Sequence, residues 1–432
     1  MRGQFKAVVA LLTGYLAWNI AAWALHEPTD TWDTYRYFST ILDPFNPGVT
    51  TTAVYSLLQS RELITLVQVL LAFGAWSALA IAILVRTSFR WPGWVAAILV
   101  LLISMTAGLW NWNMLLNTES LTVTTVVTWL ASIVWLTDAT SRVGRIWPVL
   151  ATSTVVAGFV GVTRPQLLVI VAPIQVLLVL RTARVRHRPG LATWSILGFL
   201  PFFGWALWRV WQLQQVDLYM YRYAINNLIG KNPSFRVYAL ERMPPCEAVP
   251  AALNGPAPWN DMQALGEKLM NVCPETWMWF RSPAVDMQQW MLAMPAETAY
   301  NFVAVMPGLV VPFLGELHAM PDWLSLAVMN RNYPWLWALG YLAIGIGIAW
   351  TLKVRIRWTP WTLLAGFISA SSVLAYLVVV WAADGYDVER HVFPLLPLAA
   401  VAALALPSTL PIGAQRKAGA DSLLRSDGVA RG

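Results

Sequence analysis

The sequence predicts an all-α polytopic membrane protein of about ten transmembrane helices, with both termini cytoplasmic and one large segment outside. Three observations predict it. Of 432 residues 58% are hydrophobic and only 12% are charged, with 26 tryptophans, a composition outside the soluble globular range. Ten apolar runs approach or exceed the roughly 20 residues that a helix needs to cross a hydrocarbon core of about 30 Å. Lysine and arginine collect in alternate loops.

The runs are 7–26, 63–85, 91–110, 119–137, 146–163, 165–180, 191–211, 334–352, 359–382 and 391–410. The first ends in "ALHEPTD", too polar and too long for a cleaved signal peptide with a small-residue cleavage site, and is read as a helix of the mature chain. The basic stretches "MRGQFK", "RTSFR", "SRVGR", "RTARVRHR", "KVRIR" and "QRKAGADSLLR" alternate with loops such as "NWNMLLNTES" and "ADGYDVERH". Retained positive charge marks the cytoplasmic side. The net charge of +7 is thereby assigned to anionic lipid as neighbour rather than to nucleic acid.

This divides the chain into four parts. Residues 1–211 form an N-terminal transmembrane module of about seven helices, whose first outer loop is 27–62. Residues 212–333, richer in Pro, Asn, Glu and Met, lie outside. A C-terminal transmembrane module of about three helices covers 334–411, and a basic tail, 412–432, returns to the cytoplasm. The stretch 297–317 is apolar but contains Pro307 and Pro312, and crossing there would reverse the charge rule, so it is read as surface-lying or re-entrant.

Cys246 and Cys273, the only cysteines, fall in the outer segment, where an oxidising compartment permits a disulfide. The absence of an N-x-[ST] sequon with a permitted middle residue favours a bacterial plasma membrane. No phosphate loop, zinc-type spacing or nucleophile elbow is present. Chemistry must therefore come from carboxylates and arginines at the outer surface.

Candidates for it occur in four outer loops. In "DTWDTYRYFSTIL", Asp30 and Asp33 are three apart and Tyr37 follows Asp33 by four, so a helical segment would place them on one face, although acids in an outer loop are equally read as solvated. Glu119 in "LLNTESLT" suits a helix first turn, yet its short loop carries no counter-charge. Arg164 in "GVTRPQ" and Arg390 in "DGYDVERHVF" are isolated cations against the charge bias. An arginine there either snorkels to headgroups or uses its planar fork on phosphate, with His391 as a second donor beside Arg390.

Taken with order and topology, these segments resemble the polytopic lipid-dependent glycosyltransferases of the C-type fold, which include protein O-mannosyltransferases, aminoarabinose transferases and mycobacterial arabinosyltransferases. "WDTYRYFSTIL" is similar to that family's first outer loop, "NPGVTTTAVYSLL" to its entry into helix two, "LLNTESLT" to its acid-containing segment after helix three, and "TRPQ" to its basic turn. The resemblance covers about a third of the chain through short motifs. It implies transfer of a sugar, a pentose or a hexose, from a polyprenyl-phosphate donor to an acceptor hydroxyl, with inversion, at the periplasmic or exterior face of a bacterial inner membrane.

By the same resemblance Asp33 is the base, Arg390, His391 and Arg164 bind the donor phosphate, and Glu119 belongs to the catalytic group. Tyr35, Tyr37, Trp110 and Trp112 are candidates to stack on sugar, although interfacial tryptophan is ordinary in membrane proteins. The family often has adjacent acids in the first loop; here Asp30 and Asp33 are separated, which leaves Asp30 as the alternative base. No cofactor is implied; a divalent metal at the acids stays open. The acceptor is a glycan, a lipid or an exported protein. The rival class is a lipid-linked sugar flippase or secondary transporter, which would carry repeats and mid-membrane ionisable groups that the sequence does not display.

Overall fold

In the computed structural model the described residues are 2–30, 38, 49–105, 110–116, 118–139, 146–185, 189–214, 240–247, 270–280, 293, 295–296, 364, 367–368 and 371–376. They are almost entirely helical. In chain order the elements are α1 (Arg2–Ala24), β1 (Thr29–Asp30), α2 (Val49–Leu58), α3 (Arg61–Arg86), α4 (Trp91–Ser104), a 3-10 turn (Asn111–Asn113), β2 (Leu115–Leu116), α5 (Glu119–Ala139) and α6 (Ile146–Thr163). They continue with a second 3-10 turn (Pro165–Leu167), α7 (Leu168–Val185), α8 (Pro189–Gln214) and α9 (Pro274–Phe280).

Among the described residues, four stretches are long and apolar enough to cross a membrane: Gly3–Ala24, Arg61–Arg86, Glu119–Leu136 and Pro165–Arg184. Trp91–Ser104, Pro148–Thr163 and Thr193–Trp208 are apolar but shorter. Of the run expected over 91–110, Trp91–Ser104 is described as helix and Trp110 is helical directly before the turn at Asn111–Asn113; 106–109 lie outside the described residues. The runs 334–352 and 391–410, the re-entrant stretch and the basic tail lie outside the described residues, as does most of 359–382. Two short helices, α2 and α9, were not read from the sequence. α2 is ten residues of "VTTTAVYSLL", too short and too threonine-rich to register as a spanning run.

Helices that follow one another, or next but one, pack together. α3 lies against α1, α4 and α5; α5 lies against α6, and α6 against α7 and α8. One core joins α1, α3, α4 and α5 through Trp76, Leu79, Ile83, Ala97, Val100 and Val127. A second joins α5, α6, α7 and α8 through Trp129, Ala157, Val160, Val171 and Phe199, and it includes Tyr376 from the far end of the chain. Small residues permit the close approaches: Gly158 of α6 receives the Phe202 ring of α8, and Gly161 receives Leu168, both too near for any Cβ.

Hydrogen bonds across helices are few and specific. Gln175 of α7 accepts from Trp129 Nε1 of α5 and from Ser153 Oγ of α6, both at 3.0 Å, and its Nε2 donates to Thr154 Oγ1 at 3.2 Å. Tyr15 of α1 and Ser104 at the end of α4 share a hydroxyl contact of 2.7 Å. The outward face of α8, with Trp194 and Leu207 exposed, is apolar in the way hydrocarbon surroundings require.

Cys246 and Cys273 are joined in a disulfide with Cα atoms 6.0 Å apart. Next to it, Thr276 Oγ1 donates to the Pro244 carbonyl at 3.0 Å, and Trp277 is buried. The two short stretches around the cysteines thus hold each other through a covalent and a polar contact.

Candidate functional site

Three connections meet at one end of the bundle. The first, after α1, pairs through β1 with β2 of the second, after α4, in parallel register: Thr29 opposite Leu115 and Asp30 opposite Leu116. The third is the turn between α6 and α7, which carries Arg164. Asp30 is therefore extended, not helical. The expectation that Asp30 and Asp33 share a helical face fails at its first member, because pairing with β2 supplies the backbone partners that a helix would have supplied.

Arg164 is placed by its successor. A residue before proline is driven out of the helical region, and Arg164, ahead of Pro165, has φ −147° and ψ 95°. It ends α6, its N–H still donating to the Val160 carbonyl at 2.8 Å. Glu119 stands in the first turn of α5. Because α5 and α6 are antiparallel neighbours, the positive end of one helix dipole lies beside the negative end of the other. An acid at the first and a base at the second are each favoured locally.

The two side chains meet. Arg164 Nη1 donates to Glu119 Oε1 at 3.5 Å, with the side chains 6% and 0% exposed. Thr118 Oγ1 donates to the other carboxylate oxygen at 3.3 Å. The loop of Glu119 carries no counter-charge of its own; its partner comes from another connection, as Arg164, isolated in its own loop, lies 45 residues away in the chain. The pair is long for an ion pair, and burial of two charges costs several kcal/mol each. Stability alone is a weak reason to keep it.

Around the pair the chain is tightly packed. Ser120 Oγ donates to Asn113 Oδ1 at 2.6 Å, tying α5 to the turn after α4. Tyr55 of α2 is fully buried with Ile64 and Leu116, and its hydroxyl accepts from Gln68 Nε2 at 2.9 Å. α2 also lies on α6, and the ring of Phe38 from the connection between α1 and α2 sits 5.6 Å from that of Tyr55. Four buried polar atoms at this end, Thr51 Oγ1, Gln68 Oε1, Trp110 Nε1 and Gln166 Oε1, have no hydrogen-bond partner among the described residues. Each such atom costs about 1–3 kcal/mol, and folds keep them chiefly where function needs them.

Asp30 is the solvated member. Its carboxylate bonds Arg61 Nη2 at 2.6 Å, with both side chains about half exposed. The tryptophans read as stacking platforms are otherwise engaged: Trp110 is buried between Trp18 (5.8 Å) and His26 (4.8 Å), and Trp112 is half-buried against the first core. The Trp110 ring is thereby covered, whereas Trp112 keeps part of its surface exposed. Asp33, Tyr35, Tyr37, Arg390 and His391 lie outside the described residues. Among the described residues no three His, Cys, Asp or Glu side chains converge as a metal site.

Sequence reasoning passed over His26, Glu27, Arg61 and the threonines of α2. "LHEPTD" was the available signal, since four polar residues within six directly after a spanning run are costly unless used. No protein-family model, curated protein or solved structure matches this chain. The site rests on its own residues.

Proposed function

We propose that this protein is a multi-pass membrane glycosyltransferase that moves a sugar from a polyprenyl-phosphate donor to an acceptor hydroxyl at the outer face of a bacterial inner membrane. One observation carries the reading most: the connections after the first, third and fifth apolar runs converge, with Asp30 paired beside β2 and Glu119 bonded to Arg164. Convergence of acids and a cation at one end of the bundle is what chemistry on a membrane-anchored phosphosugar requires. The isoprenoid lies among helices while its head group emerges at that end.

In the proposed reaction a carboxylate of the first outer loop, Asp33 by the resemblance, takes the proton of the acceptor hydroxyl as its oxygen bonds the anomeric carbon. The bond from that carbon to the phosphate oxygen breaks, and polyprenyl phosphate leaves with the electron pair. Developing charge on the phosphate is stabilised by fixed cations, Arg164 with Arg390 and His391. Glu119 holds Arg164 in place, since a guanidinium can bridge a carboxylate and a phosphate. A divalent ion bound near the acids would supply further charge stabilisation.

A lipid-linked sugar flippase is the second reading. The buried Glu119–Arg164 pair favours it, because ionisable groups inside transporters mark substrate pathways. Purified protein, a polyprenyl-phosphate sugar and an acceptor glycan separate the two. Release of polyprenyl phosphate with a new glycoside supports transfer; donor movement across vesicles without cleavage supports the flippase.

A further inference from the structure

We infer that a second site, a carbohydrate subsite for the acceptor, lies in the cleft between the end of α1 and the start of α3. The inference rests on the transferase reading and names the acceptor class within it. The cleft, about 500 Å³, is lined by Trp23, His26, Glu27, Pro28, Arg61 and Glu62. Its chemistry is mixed in the manner that sugars need: ring faces for C–H surfaces, carboxylates to accept from hydroxyls, and a guanidinium to donate to them.

The aromatic walls are held in place before any ligand arrives. Trp23 Nε1 donates to Thr65 Oγ1 of α3 at 3.1 Å, which fixes the indole while leaving it only half-buried. The His26 Nδ1–H donates to the Ala22 carbonyl at 2.7 Å, which sets Nε2 as the acceptor of the neutral ring. That ring also packs edge-on against Trp110 at 4.8 Å.

The charged lining is partly committed and partly not. Arg61 is bonded to Asp30, and Glu62 accepts from Ser60 Oγ at 2.8 Å. The Glu27 carboxylate is exposed and has no side-chain partner among the described residues. Because Arg61 is paired with Asp30, the carboxylates of Glu27 and Glu62 leave the wall net negative, which makes a cation the competing occupant that the test must separate from a sugar. A sugar's hydroxyls, which both donate and accept, match the whole set. The Arg61–Asp30 bond also joins the cleft to the chain that runs on to Asp33, so an acceptor held here is adjacent in the chain to the proposed base.

The test uses the full chain in detergent and ligand-detected saturation-transfer NMR with a panel of methyl glycosides, with tetramethylammonium as the cation control. At least one glycoside should receive saturation. Glu27→Gln should weaken its binding by about 10-fold, the loss of a charge-assisted hydrogen bond, with an unchanged melting temperature. His26→Ala is the second variant and should weaken it as well. No signal from any glycoside, signal from tetramethylammonium instead, or binding unaltered in both variants would overturn the subsite. Steady-state transfer separates the two claims. An unchanged acceptor KM in an active Glu27→Gln enzyme removes the cleft and leaves the transferase, whereas glycoside binding lost in the variant of a protein that never cleaves donor removes the transferase and leaves the cleft.

Discussion

Glu119 and Arg164, 45 residues apart in the chain, meet at 3.5 Å in the interior where α5 begins and α6 ends. Removing one partner strands the other charge, which is expected to cost about 3–5 kcal/mol. Arg164→Ala and Glu119→Ala should each lower thermal stability in detergent by that order. The double variant Glu119→Gln with Arg164→Met should recover much of the loss. Additive losses would show that the two charges do not couple.

The Gln175 network makes a smaller and independent prediction. Gln175→Leu keeps bulk while removing hydrogen bonds to Trp129, Ser153 and Thr154. Interhelical bonds of this kind average about 0.6 kcal/mol, so the variant should lose roughly 1–2 kcal/mol in equilibrium unfolding. An increase in stability would mean that the apolar replacement suits the site better than the polar one.

Gly158 tests the packing of α6 on α8. A Cβ there collides with the Phe202 ring, so Gly158→Ala should destabilise by about 1–3 kcal/mol, and Phe202→Leu should relieve part of it in the double variant. Unfolding of the two single variants and the pair measures the coupling. Independence would place the helices farther apart than described.

Cys246 and Cys273 close a loop with a sequence separation of 27, for which the chain-entropy picture gives about 3 kcal/mol. Thiol labelling of native protein without reductant should find neither cysteine. The double serine variant should melt earlier by a comparable amount. Two labelled thiols in the native protein would remove the bridge.

What the sequence made legible was set by what hydropathy reports. It located α3, α5 and α6 to within a few residues because long apolar segments are a one-dimensional property. It placed α4 from its first residue, Trp91, because the apolar run begins there. It did not register α2 as a separate helix, where Thr51 and Thr52 are buried. At the site, Glu119 and Arg164 stood out singly as charges in the wrong place. Their pairing did not, because it depends on α5 and α6 being antiparallel neighbours and on Pro165 forcing Arg164 out of the helix. Asp30 in a strand was hidden for the same reason: its partner, Leu116, lies beyond three helices.

The central claim is that the polar end of this bundle transfers sugar from a phosphate carrier, with a first-loop carboxylate as the base. The most direct measurement is turnover by purified protein on a polyprenyl-phosphate sugar and its acceptor, comparing the native chain with Asp33→Asn and Asp30→Asn. The account predicts that Asp33→Asn lowers turnover by roughly 10²-fold or more while donor affinity and melting are retained, because the amide keeps size and loses basicity. Asp30→Asn, which only loses its exposed bond to Arg61, should have a milder effect. Near-native turnover by the Asp33 variant, or no cleavage of any polyprenyl-phosphate donor by the native chain, would contradict it.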